Sequence, residues 1–159
     1  IRVPWHQGAN ELVIDRGDLV RSSVKSLQNR KINLRMEMKI VFQGEEVLDA
    51  GGVEREWMHM VLKEIFNEDN DVLCLCDTQE TAYKFKNDKN NNKPKMKELA
   101  WLLGVVLGKA LFDRISISAF LNRTIIRQLC NQPIYMNDFY SFDQKLYESY
   151  NTILKSTNA

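Results

Sequence analysis

The sequence is poor in the residues that usually announce a specialised chemistry. Its 159 positions include only two histidines, His6 and His59, and three cysteines, Cys74, Cys76 and Cys130. The histidines stand far apart, and neither falls in an H-x-x-x-H, H-E-x-x-H or Cys-His spacing, so the reading contains no metal site. An odd number of cysteines behind a start that is not signal-like argues for free thiols in a reducing compartment, cytosolic or nuclear, over a disulfide framework. Long apolar runs are missing as well. The stretch Leu99–Leu107 ends at Gly108 and Lys109, well short of the roughly 20 residues a membrane-spanning helix needs. Nor does one sign of charge dominate: 22 basic residues face 21 acidic ones, so no global field directs the molecule to nucleic acid or an anionic membrane.

With 44% hydrophobic and 27% charged positions, the chain has enough apolar material for a sizeable core and reads as a single globular domain. It begins at Ile1 and closes on a polar, helix-like tail, as expected of a piece excised from a longer protein.

Glu11–Ile14 reads as a short strand, after which Asp18 offers an N-cap oxygen to a helix over Leu19–Gln28 with Val20, Val24 and Leu27 as its buried stripe. From Leu34 to Phe42, apolar Leu34, Met36, Met38, Ile40 and Phe42 alternate with Arg35, Glu37 and Lys39, the period of a strand with one dry face. Gly44 and the pair Gly51-Gly52 mark a turn needing positive φ. Val53–Phe66 then reads as a helix buried on most sides, with Glu54 and Glu56 in its first turn. Val72–Cys76 and Tyr83–Lys86 read as a hairpin, and the Asn- and Lys-rich residues 87–97 with Pro94 as an exposed loop. Lys97–Phe112 is the strongest helix, with Leu99, Leu102, Leu103, Val106 and Ala110 along one face, and Gly104 and Gly108 spaced to admit a second backbone. Ser118 is placed as the cap of a helix running to about Cys130 and ended by Pro133. A last helix, Asp143–Leu154, is expected to begin at Ser141.

The candidate chemistry is sparse. Cys74 and Cys76, spaced C-x-C, lack a second pair to complete four metal ligands and read as small apolar side chains. Cys130 has no activating base beside it in sequence. Gly51-Gly52 opens a helix, but no phosphate-binding motif follows, and Glu54 and Glu56 would repel an anion. The basic stretch Lys84, Lys86, Lys89, Lys93, Lys95 and Lys97 is diluted by asparagine and reads as a solvated loop more readily than as a nucleic-acid contact. Asp49, Arg55 and Glu56 form no complete acid/base set and read as structural ion pairs.

One block is distinctive. Phe42-Gln-Gly44-Glu45, Asp49-Ala-Gly51-Gly52-Val53 and Arg55-Glu56-Trp57 resemble the signature of the HECT domain family: F-x-G-E, then D-x-G-G-V, then R-E-W. Leu103-Gly104-Val-Val-Leu-Gly108-Lys109-Ala110-Leu111 resembles a later family segment with two glycines four apart on a helix. Ser141-Phe-Asp143 and Leu146-Tyr147-Glu-Ser149 resemble a third, and together the blocks span residues 11 to 154 in family order.

The resemblance implies a predominantly helical α+β fold with short strands and hairpins. Residues 1–159 would form part of the large subdomain of the N-terminal lobe, with the conjugating-enzyme-binding subdomain and the catalytic lobe absent. It further implies a ligase that accepts ubiquitin from a ubiquitin-conjugating enzyme as a cysteine thioester and passes it to lysine on protein substrates, with no cofactor. None of the three cysteines sits in the family's T-C-F/H-N-like context, so no residue here is expected to be catalytic. The implied roles are structural. Phe42, Gly44, Glu45 and Asp49 carry the signature, Gly51 and Gly52 shape a turn, Arg55 and Glu56 pair within the fold, Trp57 anchors the core, and Gly104 and Gly108 permit close helix packing. Some family members bind a second ubiquitin here through aromatic residues that Glu68–Asp71 replaces, which leaves Leu73, Leu75 and Tyr83 as the contacts the resemblance would still offer. Val105 and Ser118 also depart from the arginine and aspartate common there. The competing reading is a non-catalytic module that binds ubiquitin or nucleic acid.

Overall fold

The computed structural model describes residues 8–28, 32–45, 50–67, 73–76, 82–86 and 93–157. They are predominantly helical with short strands, an α+β fold. Where the composition suggests a single domain, the chain clusters into two compact units, one of residues 1–65 and 90–118, the other of 66–89 and 119–159.

In the first unit, β1 (Ala9–Ile14) and β2 (Glu37–Phe42) pair in parallel, in a register that sets Leu12 against Ile40 and Ile14 against Phe42. Parallel strands need a crossover, and α1 (Leu19–Gln28) supplies it. The alternation is realised at Met38, Ile40 and Phe42, all buried. Leu34 lies outside the strand and is exposed, because the chain turns at residues 34–35 before β2 begins. The stripe of α1 is Leu19, Ser23, Val24 and Leu27 rather than one through Val20. Asp18 does not cap α1. It sits inside a 3-10 turn, Arg16–Asp18, whose cap is Asp15, accepting from the Gly17 amide at 2.8 Å.

The next helix, α2, runs Ala50–Ile65 and starts three residues earlier than the pattern suggests. Gly51 and Gly52 therefore lie in its first turn, while the positive φ of this region belongs to Gly44, at 80°. Glu54 and Glu56 fall beyond that first turn. Trp57, Met58, Val61, Leu62 and Ile65 form one broad buried stripe, and His59 is exposed on the opposite side.

α3 spans Lys93–Asp113, so residues 93–97, expected in a loop, are helical. Pro94 fits because a first-turn residue needs no amide partner. Leu99, Leu102, Leu103, Val106 and Ala110 are buried as the periodicity demands.

In the second unit, β3 (Leu73–Leu75) and β4 (Tyr83–Phe85) form the expected antiparallel pair, Leu75 opposite Tyr83. Leu121 adds a bridge to Tyr83, closed by Tyr83 N–H to the Phe120 carbonyl and Asn122 N–H to the Tyr83 carbonyl. α4 is short, Arg123–Leu129, capped by Asn122 rather than Ser118. It stops before Pro133, because Asn131 turns left-handed at φ 51°, a conformation asparagine tolerates. α5 (Met136–Phe142) was not anticipated, and Ser141 lies within it. The cap of α6 (Gln144–Thr157) is Asp143, whose carboxylate accepts from Leu146 N–H at 3.0 Å.

Candidate functional site

Phe42, Glu45 and Glu56 converge on a side chain that sequence reasoning passed over, Arg16. Its guanidinium lies 3.7 Å from the centre of the Phe42 ring. Nε bonds Glu45 and Nη2 donates to the same carboxylate at 2.9 Å, a two-pronged pairing that matches the fork of arginine to a carboxylate. Nη1 donates to Glu56 at 2.8 Å and meets the Met60 sulfur at 3.1 Å. The hydrogen bonds to Glu45 and then Glu56 hold Arg16 still more firmly protonated than usual, while the same bond draws the Glu45 carboxyl below its ordinary range. The turn through Gly44 makes this geometry possible, since it brings Glu45 back beside the end of β2. Glu56 thus pairs with Arg16, not with its neighbour Arg55, which is exposed. No alternation or helical period points to Arg16. The only signal was its place in the turn between a strand and a helix.

One layer beneath, Trp57 is fully buried and its indole N–H donates to Ser23 Oγ at 2.9 Å, tying α2 to α1. Gly104 and Gly108 behave differently from the expectation of close packing: both are exposed, and a side-chain carbon built on either meets nothing within 4 Å among the described residues. Their neighbours Trp101 and Leu111 are exposed too, at 41% and 81%. Asp49 lies outside the described residues.

In the second unit, Leu75 and Tyr83 are half-buried cross-strand partners, whereas Leu73 is fully buried and has no surface to offer a partner. Tyr83 packs its ring 5.2 Å from that of Phe66. Asn122 holds this unit together. It is buried, its Oδ1 caps α4 at Thr124 N–H (2.9 Å), and its amide donates to Cys76 Sγ at 3.3 Å and to the Ser141 carbonyl at 3.2 Å. Cys76 is therefore a buried structural thiol, Cys74 is half-buried on β3, and Cys130 is exposed at the C-terminal end of α4. An open cleft of about 610 Å3 lies along α1, where Asp15 and Asp18 mingle with Arg21 and Lys25, the arrangement of a solvated surface.

This geometry gathers structural ion pairs and caps, with no nucleophile-and-base set among the residues singled out. The family model of the HECT-domain (ubiquitin-transferase) matches residues 59–159, well over half the chain. The chain belongs to the HECT-domain family.

Among curated proteins it is similar to a probable E3 ubiquitin-protein ligase, mug30, of Schizosaccharomyces pombe, 25% identical over 143 residues, which is 89% of this chain and 17% of that protein. It is also similar to the E3 ubiquitin-protein ligase TOM1 of Saccharomyces cerevisiae, 27% identical over 120 residues, 76% of this chain and 4% of that protein. A third relative is the E3 ubiquitin-protein ligase Smurf1 of Drosophila melanogaster, 27% identical over 150 residues, 94% of this chain and 14% of that protein. The chain thus spans at most 17% of the length of these relatives. The matched region begins at His59, within α2, so the Arg16 clamp lies ahead of it except for Met60.

Proposed function

We propose that this chain is a scaffold portion of the N-terminal lobe of a HECT-type ubiquitin-protein ligase. The parent protein takes ubiquitin from a conjugating enzyme as a cysteine thioester and transfers it to substrate lysines, in the cytosol or nucleus. The observation that carries this reading is the family match over residues 59–159. The settings of the cysteines support placing the nucleophile outside residues 1–159: one is buried, one sits on a strand, and one stands at a helix C-terminus. The clamp around Arg16 and the Trp57–Ser23 contact serve as framework, and Phe42, Gly44, Glu45, Glu56 and Trp57 act in that framework, not in the transfer. Leu75 and Tyr83 remain as a surface for ubiquitin on the β3–β4 hairpin.

The test is a charging assay with activating enzyme, conjugating enzyme and ubiquitin. The isolated chain is expected to form no thiol-sensitive ubiquitin adduct, while the full-length protein forms one that persists when Cys74, Cys76 and Cys130 are all replaced by alanine. An adduct lost on replacing Cys130 alone would overturn the scaffold reading.

A further inference from the structure

Among the described residues of the first unit the best-buried charge is Lys109, on the inward face of α3 between Val106 and Ala110. It is wholly excluded from solvent, and its ammonium lies 2.5 Å from the Asp113 carboxylate, whose side chain is 4% exposed. The same ammonium donates to the Met36 carbonyl at 2.8 Å. Met36 closes the turn before β2, where its N–H donates to the Asn33 carbonyl at 2.9 Å. Lys109 therefore joins the last turn of α3 to the approach of β2, 73 residues away in sequence.

Two local features make the helix end at this point costly. Asp113 sets a negative charge at a helix C-terminus, against the macrodipole. Arg114 takes φ 58°, a left-handed conformation that is costly for a residue such as arginine, whose side chain cannot stabilise it locally as that of asparagine can. The helix ends there nonetheless, with Ile115 N–H folding back to the Ala110 carbonyl at 2.9 Å. The Lys109 ammonium neutralises the misplaced charge and gives the last turn a directional partner.

We propose that the Lys109–Asp113 pair is a conformational pin: it selects where α3 stops and which carbonyl its last turn faces, and contributes specificity of packing more than net stability. The physical ground is that desolvating two charges roughly offsets their attraction, so an apolar pair of similar volume fills the site without loss, yet has no direction to impose. Removing only one member takes from the other its oppositely charged neighbour in a buried site.

The experiment compares the 159-residue chain, its Lys109→Met variant and the Lys109→Met/Asp113→Leu double variant by urea unfolding and amide hydrogen exchange. The single variant is expected to lose stability and the double variant to regain a midpoint at or above that of the unaltered chain. In the double variant, protection of the Ile115 amide should fall by about tenfold or more as the helix end ceases to be unique, with doubled or broadened resonances over residues 107–118. Full Ile115 protection with single resonances in the double variant would overturn the proposal. So would a midpoint, or a failure to fold, no better than that of Lys109→Met alone, since the pair would then be a stabilising one.

Discussion

At the scale of single residues, Trp57 and Glu45 carry the sharpest expectations. Trp57 fills a fully buried site and gives its indole N–H to Ser23. Trp57→Ala should cost about 3–5 kcal/mol by cavity formation, read as a lowered urea midpoint, and a midpoint near that of the unaltered chain would contradict the packing. Glu45 differs because it is exposed and acts through charge. Arg16 holds its carboxyl below the usual 4.5, first through the side-chain hydrogen bond. A carboxyl depressed in the folded state binds protons more readily when unfolded, so its stabilising contribution is present above pH 4.5 and lost as pH falls through the lower folded value. Glu45→Gln should therefore be less stable than the unaltered chain at neutral pH, with the difference shrinking in acid. A difference independent of pH would remove the clamp from the account.

At the scale of elements, what was legible in the sequence was what a single element encodes by itself. The buried face of α3 and the dry face of β2 follow from spacing alone. Partners in space were not legible, because nothing in a local window relates Arg16 to Glu45 and Glu56, 29 and 40 residues away. Caps were misplaced for a related reason. Asp15, Asn122 and Asp143 compete with nearby Asp18, Ser118 and Ser141 as side-chain acceptors, and backbone geometry decides among them. Asn122→Ala should cost about 1–3 kcal/mol, since it removes the α4 cap and leaves buried partners unsatisfied; thermal unfolding checks this, and an unchanged midpoint would show that α4 is capped otherwise. On α3, Gly104 and Gly108 have open space above them. Replacing each with alanine should raise stability by about 0.5–1 kcal/mol, the entropy that glycine gives up in a helix interior. A loss of stability would mean that a backbone does approach there, as the glycine spacing had suggested.

At the scale of the whole molecule, the chain forms two compact units, and the relatives it matches are far longer than the matched region. The family was legible in the linear order of short motifs along the chain. What those motifs do was not, because their contacts close on Arg16 and Ser23, residues outside the pattern. The central claim, that this chain frames a ubiquitin-transfer reaction whose nucleophile lies elsewhere, is tested most directly by mapping the attachment site. The full-length protein is charged with ubiquitin, digested without reductant, and the thioester-bearing peptide identified by mass spectrometry. The account predicts a cysteine outside residues 1–159, and a ubiquitin thioester on Cys74, Cys76 or Cys130 would contradict it.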